Sequence, residues 1–139
     1  MEQMLNQSSV YLTGGALGGL ANALIIWIFG MIGIPKAVGV ALKPTFSTAY
    51  LYPKLVWGAI WGLAFFIPNL PANFYLSALL VSLLPTLVQL FVVFPYQAKK
   101  GMLGLQLGTL TPLFVVIYNY VWGLAALCFI QSVNMPLIA

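Results

Sequence analysis

The sequence predicts an all-α integral membrane protein with four transmembrane helices, and three observations carry the prediction. Four long apolar stretches fill most of the 139 residues. Only 4% of the residues are charged against 63% hydrophobic, with a mean hydropathy of +1.05, whereas a soluble domain carries about 25% charged residues. The five basic residues, all lysines, cluster beside particular stretches and avoid the others.

The first stretch covers residues 10–34, with Pro35 closing it. It exceeds a signal-peptide core and no basic residue precedes it, so it reads as a retained membrane helix. Gly14, Gly15, Gly18 and Gly19 form two overlapping small-x-x-x-small pairs, extended by Ala23. Such pairs let another helix approach closely where lipid supplies no hydrophobic force. Gly58 and Gly62 in the second stretch offer the matching groove. The same glycines would equally serve an interface with a second copy or another membrane subunit.

The second stretch is less regular. Lys54 to Ile67 is too short to cross a hydrocarbon core that needs about 20 residues. The helix is therefore placed at residues 46–67, with Pro53 inside it as a kink. The third covers residues 74–94 and is closed by Pro95. The fourth covers residues 112–131, with Thr111 as N-cap and Pro112 at the first helical position.

Two segments repeat. Pro44, Phe46, Tyr50, Tyr52 and Val56-Trp57-Gly58 match Pro112, Phe114, Tyr118, Tyr120 and Val121-Trp122-Gly123, with three extra residues, Pro53-Lys54-Leu55, in the second stretch. This pattern predicts two tandem helical hairpins, 10–67 and 74–131, related by an axis along the membrane normal.

Lysine placement predicts sidedness. Lys36, Lys43 and Lys54 lie beside the first and second stretches, Lys99 and Lys100 between the third and fourth. Lysines near span ends stay cytoplasmic, which puts both termini and the Pro68–Asn73 turn on the other side of the membrane. The net charge of +4 is then a topology signal rather than a nucleic-acid face. Lys36, Lys43, Lys99 and Lys100 are expected to touch anionic lipid headgroups. Lys54, beyond a proline, is a candidate anion contact; the simpler expectation is that its four-carbon stem snorkels to the headgroups.

Polar residues inside the spans are Asn22 in the first, Ser82, Thr86 and Gln89 at helical spacing in the third, and Asn119 in the fourth. They are expected to join helices by hydrogen bonds or to line a polar track. Reactive chemistry is sparse. The sequence has no histidine, one acid (Glu2) and one cysteine (Cys128), so no catalytic constellation, metal set or cofactor site is predicted. Two functional readings fit. The first is a non-catalytic subunit or scaffold of a membrane assembly, acting through glycine-mediated helix packing. The second is a small oligomeric channel or carrier for a neutral or anionic solute, with Lys54 at its cytoplasmic side.

Overall fold

The computed structural model describes residues 1–133, which form helices, turns and loops with no strand among them. In chain order the elements are α1 (Glu2–Ile32), a short α2 (Ile34–Ala37), α3 (Thr48–Gly62) prolonged by a 3-10 turn (Leu63–Phe66), α4 (Phe74–Val88) prolonged by a π-helical segment (Gln89–Gln97), a second 3-10 turn (Met102–Gly104), and α5 (Thr111–Ser132). Three of these helices, Glu2–Ile32, Phe74–Gln97 and Thr111–Ser132, are long and apolar enough to cross a membrane, in keeping with an integral membrane protein. The C-terminal tail from residue 134, expected on the non-cytoplasmic side, lies outside the described residues.

The boundaries depart from expectation for local reasons. The first helix begins at Glu2, not at residue 10. Its polar start is compatible with helix because Ser8, Ser9 and Thr13 donate to the carbonyls of Met4, Leu5 and Ser9, four residues back, at 2.8, 3.1 and 2.7 Å. It ends at Gly33 and not at Pro35: Gly33 adopts φ 91°, and its N–H bonds the Phe29 carbonyl as a left-handed C-cap. Pro35 opens α2 instead.

Helix α3 starts at Thr48, two residues after the expected 46, because Ser47 Oγ accepts the Tyr50 N–H at 3.2 Å and caps the turn. It runs through Pro53 as one helix. Asn73 caps α4 in the same way, accepting from Leu76 N–H at 3.0 Å. The third helix then passes Pro95, which was expected to end it at residue 94, and reaches Gln97 in π-helical form. The wider turn relieves the clash between the proline ring and the carbonyl four residues back. In α5, Thr111 is the first helical residue rather than the N-cap, and its buried Oγ1 finds no partner among the described residues.

α1 and α5 form the centre of the bundle. α3 packs on α1, α4 packs on α5, and α3 and α4 stand apart as outer walls. The polarity is inverted relative to a soluble protein. Leu24, Ile28, Ile60, Leu80, Leu87 and Phe91 are exposed, while Gln7, Asn22, Ser77, Ser82, Thr86 and Thr111 are buried. Lipid accepts the first set and penalises the second, so polar groups turn inward.

The expected glycine face is consumed inside the chain. A Cβ on Gly15 or Gly19 would collide with the carbonyl oxygens of Gly58 and Lys54, and one on Gly62 with that of Tyr11. A Cβ on Gly58 would lie 2.6 Å from the Gly15 oxygen. On the opposite face of α1, Gly14 lies against Ala126 and Ile130, and Gly18 against the Trp122 backbone and indole. Trp122 Nε1 donates to the Gly15 carbonyl at 3.1 Å. The two glycine pairs of α1 thus serve two neighbours, α3 and α5.

The main core lies toward the 67–73 turn and gathers Tyr11, Phe65, Val81, Trp122, Leu127 and Ile130. Tyr11–Phe66 and Phe65–Trp122 ring centroids lie 4.6 and 5.9 Å apart, contacts worth about 0.5–1.5 kcal/mol each beyond their burial. At the other end, the loops 38–47 and 98–110 dock on each other. Ala41 N–H bonds the Leu107 carbonyl at 2.9 Å, and Gly108 approaches Gly39 and Val40 too closely for any side chain.

Candidate polar cleft

Between the outer walls α3 and α4, on the loop side of the aromatic core, lies a cleft floored by α1 and α5. It comprises two adjoining cavities of about 370 and 350 Å³ that share Asn22, Lys54, Gln89 and Asn119. The first has Trp57 and Trp61 on the α3 wall and Val88, Val92 and Val93 on the α4 wall. The second reaches Lys43 and Pro44 in the loop before α3.

One side chain from each long helix meets here. Lys54 Nζ of α3 donates to Asn22 Oδ1 of α1 at 3.4 Å. Asn22 Nδ2 donates to the Tyr118 carbonyl at 2.8 Å and to Asn119 Oδ1 of α5 at 3.3 Å. Asn119 Nδ2 donates in turn to Thr86 Oγ1 of α4 at 3.1 Å, and Thr86 Oγ1 donates to the Ser82 carbonyl at 2.8 Å. A relay of side chains therefore ties all four long helices together, each bond worth about 0.6 kcal/mol in a membrane interior.

The expected polar track is assembled in part. Asn22, Thr86 and Asn119 join the relay. Gln89 opens the π-helical segment and lines both cavities, with no hydrogen bond to its amide among the described residues. Ser82 does not contribute its hydroxyl, which donates back to Leu79 O of its own helix at 2.7 Å.

The five lysines separate into two groups. Lys36, Lys43, Lys99 and Lys100 are exposed at the docked-loop end. Lys54 lies deep. Its backbone carbonyl meets Gly19, and its ammonium points at Asn22, ten residues and roughly 15 Å of helix from the end of α1 at Ile32. The ammonium thus reaches across to α1 while staying on the side of α3 that leads to the loop before it, where Lys43 and Pro44 line the same cavity. The ammonium also lies 5.2 Å from the Tyr50 ring centroid, a cation–π contact.

Tyr50 and Trp122 were not singled out as site residues from sequence. The Tyr50 hydroxyl donates to the Ala23 carbonyl at 2.7 Å, which fixes the ring beneath Lys54. Both residues belong to the repeated pattern, and that recurrence was the available signal. Cys128 is exposed on α5, away from the cleft lining. Among the described residues no group of histidine, cysteine or carboxylate side chains is placed to hold a metal. Compared with protein-family models, curated proteins and solved structures, the chain finds no match in any of the three.

Proposed function

We propose that the chain is a four-span membrane protein of two tandem hairpins that binds a neutral or anionic solute in this cleft and carries it across the bilayer. The observation that supports the reading best is the meeting of Lys54, Asn22, Asn119 and Thr86, from four different helices, at a cavity in the middle of an otherwise apolar bundle. An ionisable side chain at membrane depth is costly and belongs to a binding site or pathway by default. The cleft is complete within one chain, so the reading requires no second copy.

A fourth span is supported by length. The 15 α-helical residues of α3 and the four residues of its 3-10 extension reach roughly 30 Å at rises of about 1.5 and 2.0 Å per residue. The hairpin repeat draws support from similar antiparallel packing in the two helix pairs. Gly58 of α3 sits against Gly15 and Gly19 of α1, and Gly123 of α5 sits against Ala78 and Ser82 of α4. Four residues before each glycine stands the residue that reaches the partner helix, Lys54 in one pair and Asn119 in the other.

Lys36, Lys43, Lys99 and Lys100 would hold the docked loops at an anionic cytoplasmic leaflet, each contributing about 1 kcal/mol near the surface. Cysteines placed at Asn69 and Lys99 in a Cys128→Ser background should then react with an impermeant reagent from opposite faces. The scaffold reading loses its main carrier, because the glycines proposed to recruit a partner are already packed against α3 and α5.

Flux measurement in reconstituted vesicles tests the proposal. Wild-type vesicles should pass at least one small neutral or anionic solute faster than empty ones. Lys54→Gln should cut anion flux by about tenfold, the loss expected for one charged hydrogen bond. Wild-type vesicles as tight as empty ones across a panel of sugars, polyols and carboxylates would end the carrier reading.

A further inference from the structure

We infer that the ligand of the cleft is a single-chain anionic amphiphile, a carboxylate on one acyl chain, which enters sideways from the bilayer and pairs its head with Lys54. The inference rests on the cleft as a binding site but not on transport. Three features of the cleft lead to it.

The first is the unbalanced charge of Lys54. The sequence has one acid, Glu2, and it stands at the far end of α1. Seventeen residues separate it from Gly19, where the Lys54 carbonyl packs, which is roughly 25 Å of helix. Within the chain the ammonium has one amide oxygen at 3.4 Å and one ring face, leaving donors unused. Desolvated charge without a counter-charge is expensive, and an anionic head supplies the missing partner. The Gln89 amide, which lines both cavities, adds two donors on the opposite wall.

The second is the direction in which the cleft opens. Trp57 is 59% exposed and Val92 45%, and both line the first cavity. The neighbouring surface is apolar: Val56 and Ile60 on α3, Leu87 and Phe91 on α4. The gap between the walls therefore faces hydrocarbon. A hydrated ion arriving from that side would have to shed its water first, whereas an amphiphile dissolved in the bilayer already has its tail there.

The third is the distribution of polarity along the cleft. Polar groups collect around Lys54, Asn22, Asn119 and Gln89, with Gln97 at the loop end, and most of the rest of the first cavity is apolar, walled by Pro53, Trp57, Trp61, Val88, Val92 and Val93. A polar spot next to an apolar slot matches a head joined to a tail. One lysine matches one negative charge.

The test uses the full chain in nanodiscs of zwitterionic phosphatidylcholine, with dibromostearate as the probe, because bromine quenches indoles it touches and Trp57 and Trp61 line the slot. Saturable quenching is expected for the wild type. Lys54→Gln should weaken the midpoint by about tenfold, and Lys54→Arg should restore it. Trp57→Phe should lower the quenching amplitude, because it removes one of the two indoles that line the slot. A monodisperse elution profile for each variant separates lost binding from lost fold. Equal quenching of wild type and Lys54→Gln, or equal quenching by a brominated monoacylglycerol, overturns the inference. Displacement of the probe by millimolar acetate would identify a small free anion, and preferential quenching by a brominated phosphatidylglycerol would identify a two-chain lipid; either result also overturns it. Flux that depends on Lys54 without probe binding removes the amphiphile and keeps the carrier. Lys54-dependent probe binding without flux does the reverse.

Discussion

The two helix pairs, α1 with α3 and α4 with α5, solve the same packing problem with different residues. In the first pair, glycine meets glycine: Gly15 and Gly19 on one helix, Gly58 and Gly62 on the other, with main chain against main chain. In the second, Gly123 packs on Ala78 and Ser82, so only one helix has given up its side chain. The polar reach across each pair differs too. Lys54 crosses to Asn22 in the first, and neutral Asn119 crosses to Thr86 in the second. Even the tyrosines diverge. Tyr50 donates its hydroxyl to the Ala23 carbonyl, while the buried Tyr118 hydroxyl has no partner among the described residues. The comparison teaches that one helix pair brings a charge to the cleft and the other brings only neutral side chains.

The largest effect should come from challenging the glycine pairing. Gly15→Ala drives a methyl into the Gly58 carbonyl and should cost about 2–3 kcal/mol. Ala78→Gly, which makes the second pair resemble the first, should cost only about 1 kcal/mol. Denaturant titrations in detergent, followed by tryptophan emission, compare them; equal losses would mean the two interfaces are equally tight.

Exchanging the charge sharpens the comparison further. Lys54→Asn alone should reduce anion binding by about tenfold. Adding Asn119→Lys should recover most of it if α3 and α5 present equivalent positions to the cleft. A double variant no better than the single one would show that α3 and not α5 can hold the cation.

The smallest effect should separate the tyrosines. Tyr50→Phe loses a hydrogen bond and should cost about 1 kcal/mol, whereas Tyr118→Phe deletes an unpaired hydroxyl and should be neutral or slightly stabilising. The same titrations measure both, and a destabilising Tyr118→Phe would break the distinction.

Much of this architecture was legible in the chain. The apolar stretches, the glycine face of α1 and the polar positions Asn22, Thr86, Gln89 and Asn119 all stand out because lipid tolerates so few exceptions. Helix ends were harder to read. Ser8, Ser9 and Thr13 look like a polar leader, but their hydroxyls satisfy themselves on the preceding turn, and the helix continues through them. Pro95 looks like a stop, yet a π-helical turn accommodates it. The partner of Lys54 on α1 was hidden for a different reason. It follows from which face of α3 meets α1, and that is set by the Gly19–Lys54 contact, a long-range pairing that no local pattern encodes. The inward-facing glycines were visible as small residues, but whether they welcome a neighbour from the same chain or from another is a question of tertiary geometry.

The docked loops have one more consequence. Residues 38–47 lead into one wall of the cleft and residues 98–110 leave the other, and the two are stitched by the Ala41–Leu107 peptide bond pairing and the Gly39–Gly108 approach. The spacing of the two loops at this end of the cleft is therefore set by main-chain atoms. Side-chain drift in either loop should leave that spacing unchanged, whereas inserting a single residue would reset it.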